Sequence, residues 1–142
     1  MEILQYPDIR LFNHSSPITD ISKISPVLLA EMQYIIVSHA SGIAAVQLGD
    51  PIQLICIKFG AEQLFLINPQ IVREYYPIVS SSEGCLSINK GRSSFIVTRY
   101  KKVKVKYTSL DNSTKVRKFL GKEACAVQHE IDHLSGRLIN MK

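Results

Sequence analysis

Apolar positions recur at helical spacing at two places in the chain and at strand spacing between them. Leu28, Leu29, Met32, Ile35 and Ile36 fall three and four residues apart, the pattern of one buried helix face. Ser25-Pro26 supplies a cap and a first helical residue that needs no N–H donor. Gly42 is the expected stop of that helix. Strand-like runs follow at 52–59, 63–68, 75–79, 95–99, 102–110 and 115–120. Asp111-Asn112-Ser113 separates the last two runs as a hairpin turn. A final helix is expected at about 123–135, stopped at Gly136. Val127, Ile131 and Leu134 form its core stripe, while Ala126, His129, Glu130 and His133 face elsewhere. Helix, many strands, helix predicts an α+β fold: mostly antiparallel sheet packed around the C-terminal helix, with an N-terminal helix.

Composition narrows the class. A chain of 142 residues, 46% hydrophobic and 20% charged, fits one folded domain spanning 1–142. No repeat or low-complexity tract interrupts it. No apolar run reaches the roughly 18 residues of a membrane span, so no membrane partner is expected. The N-terminus lacks the charged start and apolar block of a secretion signal. Cys56, Cys85 and Cys125 are too few, and odd in number, for a disulfide framework. A reducing cytoplasm suits them. The net charge of +5 is concentrated in Lys101, Lys102, Lys104, Lys106, Lys115, Arg117 and Lys118. Alternation of lysines with Val103, Val105 and Tyr107 reads as an edge strand with one wet face. A patch for RNA or ribosome contact is the alternative.

The chemistry sits in the last helix. His129-Glu130-Ile131-Asp132-His133 is an H-E-x-x-H motif. Residues four apart share a helix face, so two imidazoles can meet one metal ion while Glu130 is left as a general base. A catalytic metal usually takes a third protein ligand. The free donors are His14, His39 and the cysteines. Cys85 stands out, because Gly84 before it allows backbone to approach closely. Cys56 lies in an apolar run and reads as a core residue; Cys125 is read mainly as packing.

Three ordered segments carry a resemblance. Gly42-Ile43-Ala44-Ala45-Val46-Gln47, Glu83-Gly84-Cys85-Leu86-Ser87 and Gln128 to Gly136 look like the signature motifs of the peptide deformylases. The resemblance extends over nearly the whole chain, and its short C-terminal end is similar to phage-encoded versions. It implies removal of the formyl group from N-terminal formylmethionine of nascent peptides, with release of formate. It implies Cys85, His129 and His133 as ligands of one divalent metal, natively Fe²⁺, with Ni²⁺, Co²⁺ or Zn²⁺ able to substitute. Glu130 would be the base. The Gln47 amide and the Leu86 N–H would hold the oxyanion. Gly42, Ile43, Ile88, Cys125 and Ala126 would contact the substrate. Glu83 would be held by an arginine, Arg99 or else Arg92, and Asp132 would orient a ligand or face water. The expected partners are nascent peptides and, transiently, the ribosome, with no DNA and a monomeric enzyme. The expected location is the bacterial cytoplasm, or that of the host if the gene is a phage's.

Two departures stand out. Ala40 and Ser41 occupy the places of the glycine and apolar residue that open the first motif, and Asn89 replaces a common proline. Two other functions remain open at this point: an H-E-x-x-H endopeptidase, and a non-catalytic RNA-binding domain with a structural metal.

Overall fold

The computed structural model describes residues 1–141. Helix α1 spans Pro26–Ser38, and the Leu28 N–H donates to the Ser25 hydroxyl at 3.3 Å, the expected cap. Five strands follow: β1 (Gly42–Ala44), β2 (Leu54–Phe59), β3 (Glu62–Glu83), β4 (Phe95–Thr108) and β5 (Thr114–Leu120). Helix α2 spans Gly121–Leu134. The strands form one antiparallel sheet in chain order, β1 to β5.

The two helices lie on opposite faces of this sheet. Val103, Val105 and Tyr107 of β4 and Phe119 of β5 pack with Ala124, Val127 and Leu134 of α2. Each large apolar side chain so buried contributes on the order of 1.5–3 kcal/mol. On the other face, Leu28, Met32, Ile35 and Ile36 of α1 pack with Ile43, Leu54, Cys56, Phe65 and Ile67. Cys56 is therefore a core residue. A third cluster joins Leu11, Cys85, Ile88, Val97, Leu138 and Ile139. It seats the loop after β3 against the N- and C-terminal segments.

Four sequence expectations change. The runs 63–68 and 75–79 belong to one strand, β3, which carries Pro69 and Pro77. Proline lacks the donor that a ladder needs, and the β3–β4 register shifts between Ile67 and Gln70 and between Tyr75 and Ile78. The runs 95–99 and 102–110 likewise join as β4. The lysine-bearing strand is not an edge: β4 lies between β3 and β5. Alternation reports one wet face and says nothing about whether both edges are paired. Lastly, α1 ends at Ser38, before Gly42, which opens β1 instead. The hairpin turn is as read: Asp111 accepts from the Ser109 hydroxyl and the Ser113 N–H, and Asn112 takes φ 69°.

Candidate active site

His129, Glu130 and His133 project from the inner side of α2 and all are buried. Cys85 comes from the loop that follows β3 and is 5% exposed. Its Sγ lies 3.5 Å from His133 Nε2. One ligand atom each from Cys85, His129 and His133 lies within 4.8 Å of the others, a group able to hold a metal ion. Thiolate and imidazole are donors suited to iron, nickel, cobalt or zinc. Glu130 Oε1, beside them, is buried without a hydrogen-bond partner among the described residues. An unsatisfied carboxylate oxygen next to soft ligand atoms is the signature of a place for a cation and its water, so these residues fit a metal.

The histidines differ electrostatically. Burial holds His133 well below its ordinary value, helped by the charge of His129, so it presents a neutral imidazole. Burial also opposes charge on His129, but Glu130, Cys85 and Glu83 outweigh it and raise that group to about 10. Glu83 fixes the ring, because His129 Nδ1 lies 2.9 Å from Glu83 Oε1. With Nδ1–H donated there, Nε2 is the nitrogen that a metal would take in place of a proton. Glu130 is pushed up to about 7, chiefly by burial.

Arg99 anchors the cluster. Its guanidinium, 3% exposed as a residue, donates to both Glu83 oxygens at 2.9 and 2.7 Å and to Asp132 Oδ2 at 2.8 Å. Arg99 and not Arg92, which is exposed, is the partner of Glu83. Asp132 is thus engaged with Arg99. The link ties the end of β3, β4 and α2 into one frame around His129.

Gln47 lies in the helical turn after β1 and is 2% exposed. Its carbonyl accepts from the Ala44 N–H at 2.9 Å. That turns its amide toward Ser87 Oγ at 3.0 Å and Cys85 Sγ at 3.6 Å. Leu86 follows Cys85, and its carbonyl accepts from the Gln5 amide at 2.7 Å.

A cavity of about 650 Å³ opens over this cluster. Gly42, Gln47, Glu83, Cys85, Leu86, Cys125, Ala126, His129 and Glu130 line it, with Ser41 at its border. Ile43 and Ile88 lie elsewhere: Ile43 packs beneath α1, and Ile88 packs with Leu11 and Val97. Ser87 lies in the second motif but carries no role readable from the sequence, and Gln5 lies outside all three motifs. Nothing in their spacing marks them, since both act through loop contacts. Gln128 opens the third motif, where the sequence assigns it no role. It bonds both the N–H and the carbonyl of Tyr100 and so fixes α2 to β4.

A buried cysteine–histidine–histidine group beside a carboxyl poised near neutrality, at the floor of an open cavity, defines the site of a metal-dependent hydrolase. The sequence profile described as polypeptide deformylase matches residues 1–142, and the chain belongs to that family. It is 35% identical over 145 residues to a peptide deformylase of Rhodopseudomonas palustris, covering 96% of this chain and 82% of the relative. The fold superposes on a probable peptide deformylase from Synechococcus phage S-SSM7 with TM-score 0.90 and 30% identity, over 99% of this chain and 98% of that one. A Met-Ala-Ser-bound peptide deformylase from Acinetobacter baumannii is also similar, with TM-score 0.87, 26% identity, and 99% and 96% coverage. Among the described residues, no helix is long and apolar enough to cross a membrane.

Proposed function

We propose that the whole chain acts as one catalytic domain, hydrolysing the formyl amide at the N-terminal methionine of nascent peptides in the cytoplasm, as a monomer. The observation that carries this is the placement of Glu130, buried and unpartnered at Oε1, between the Cys85–His129–His133 group and Gly42 of β1. Cys85, His129 and His133 hold the metal, natively Fe²⁺. When bound, the ion supplies Lewis acidity and brings the pKa of a water toward about 7.

The chain's own residues do the rest. Glu130 accepts the proton of the attacking water at its carboxylate and returns it to the leaving methionine nitrogen. Burial strengthens its hold on a proton relative to an ordinary carboxylate, which suits a group that must take one up. The formyl C–N bond breaks, giving formate and a free amino group. The Gln47 amide, already aimed at Cys85, and the Leu86 N–H donate to the oxyanion that forms on the formyl oxygen. β1 is an edge strand at the cavity border, so an extended peptide can pair with it. Gly42, Cys125 and Ala126 then leave room for the methionine side chain. The Met-Ala-Ser peptide held by the similar Acinetobacter baumannii protein supports this substrate class. The enzyme meets its substrate in transient contact with the ribosome.

Formate release from a formyl-Met tripeptide by protein loaded anaerobically with Fe²⁺ or Ni²⁺ tests the reading. Activity should vanish in Glu130→Ala. Wild-type activity no higher than that variant's would refute it.

A further inference from the structure

The sheet face opposite α2 is only partly covered. Helix α1 packs on β1, β2 and the first part of β3, leaving the outer side of β4 and β5 open. Since Val103, Val105 and Tyr107 point to the α2 side, Lys102, Lys104 and Lys106 point to the open side. Directly paired residues share a face, so the register extends this array. Arg73, Lys104 and Lys118 form one row, Tyr75, Lys102 and Leu120 the next, and Gln70, Lys106 and Val116 a third.

These rows hold no carboxylate. Among the described residues, none of Arg73, Lys102, Lys104, Lys106 and Lys118 makes an ion pair. Three of them crowd one ring instead: Arg73 lies 4.7 Å, Lys102 4.6 Å and Lys118 6.0 Å from the Tyr75 centroid. Like charges gathered without counter-charge cost the folded state, and an anionic partner relieves that cost.

We propose that this face docks the enzyme on RNA through the phosphate backbone. The choice of RNA rests on the reading that the substrate is a nascent peptide, which emerges beside ribosomal RNA. The Tyr75 ring is taken up by its cations, so the contact is to phosphates rather than stacked bases and is tolerant of sequence. An anionic membrane fits less well. The apolar side chains in these rows, Val116 and Leu120, sit on β5 alone and do not form an insertable patch. None of the basic side chains lines the reaction cavity, so docking and hydrolysis are separable.

The test measures anisotropy of a short labelled uridine homopolymer with metal-loaded enzyme across a potassium chloride series. Wild type should bind with a log–log salt slope of about −3, as for four or five phosphate contacts. Lys104→Gln/Lys118→Gln should weaken binding at least about tenfold and reduce the slope by about 1.4. Lys23→Gln/Lys58→Gln, equal in charge but outside these rows, should bind like wild type. All three should hydrolyse a free formyl-Met tripeptide equally, which reads the catalytic proposal independently. Should the first variant fail to fold, Arg73→Gln/Lys106→Gln takes its place. No RNA binding by wild type at low salt, equal losses in the two charge variants, or binding to phosphatidylserine vesicles in place of RNA would each overturn the proposal.

Discussion

Gly42 and Glu130 meet so closely that a Cβ on Gly42 would lie 2.5 Å from Glu130 Oε2 and 2.8 Å from its Cγ. The glycine at the start of β1 therefore sets where the carboxylate on α2 can sit. This is the physical reason for glycine there; φ at this position needs no special freedom.

Gly42→Ala should push the Glu130 side chain out of place without unfolding the chain. A displacement of about 1 Å in a catalytic group can cost about 10²-fold in rate. We expect kcat for formate release to fall by about that factor while the circular dichroism spectrum and metal content stay unchanged. Full activity in Gly42→Ala would show that the base tolerates displacement.

Arg99 pairs with two part-buried carboxylates, and removing it deprives both of that partner. Arg99→Ala should destabilise by about 3–5 kcal/mol, read from urea unfolding. The same contact makes stability acid-sensitive. Burial would raise Glu83, but hydrogen bonds from Arg99 and His129 override it and lower the group to about 2, from 4.5. Its charged form is thus favoured in the fold. That contribution is complete above about pH 4.5 and is lost as pH falls toward about 2. Allowing for solvent screening, it is on the order of 2 kcal/mol. Between about pH 5 and pH 3, Tm of wild type should drop more steeply than that of Glu83→Gln. Parallel curves would refute the assignment.

Cys56 is fully buried under α1 and its thiol is pushed up to about 12, first by burial and then by the charge of Glu130. Near neutral pH only about one molecule in 10⁴ or fewer carries that thiolate. Iodoacetamide should leave Cys56 unmodified in native protein and label it in urea, by peptide mass spectrometry. Cys125, half-buried at the cavity wall, should react in native protein. Equal native labelling of the two would contradict the packing.

These relationships were unequally legible in the sequence. The i, i+4 histidines and Glu130 announced themselves because a helix has a fixed period, and Ser25-Pro26 marked a helix start because caps are local. The pairing of Arg99 with Glu83 was narrowed to two arginines, since charge complementarity suggests a partner but not its strand. The continuity of β3 across Pro69 and Pro77 was hidden, because bulges absorb prolines that otherwise read as breaks. The inner position of β4 was hidden too. Ile88 sits in the motif loop, yet its side chain joins Leu11 and Val97, because no period fixes side-chain direction in a loop.

Gln5 is the residue for which no pattern prepared us. Its amide donates to the Leu86 carbonyl at 2.7 Å, and its own carbonyl accepts from the Lys90 N–H at 3.0 Å. One side chain from the N-terminal segment thereby pins both ends of the loop that follows Cys85. That loop turns through three left-handed residues, Asn89 at φ 49°, Lys90 at 54° and Gly91 at 82°. Proline, with φ near −65°, is incompatible with the first, so the replacement at position 89 belongs to this turn. Holding the Leu86–Ser87 peptide in place restrains the preceding peptide, whose Leu86 N–H is the proposed oxyanion donor, so Gln5 has a positioning role. Gln5→Ala should therefore lower kcat by about tenfold with little change in KM, as expected for a donor used mainly in the transition state. Gln5→Glu keeps the acceptor for Lys90 but loses the donor to Leu86, and should match Gln5→Ala in kcat while retaining more thermal stability. A rise in KM at constant kcat would instead assign Gln5 to substrate binding.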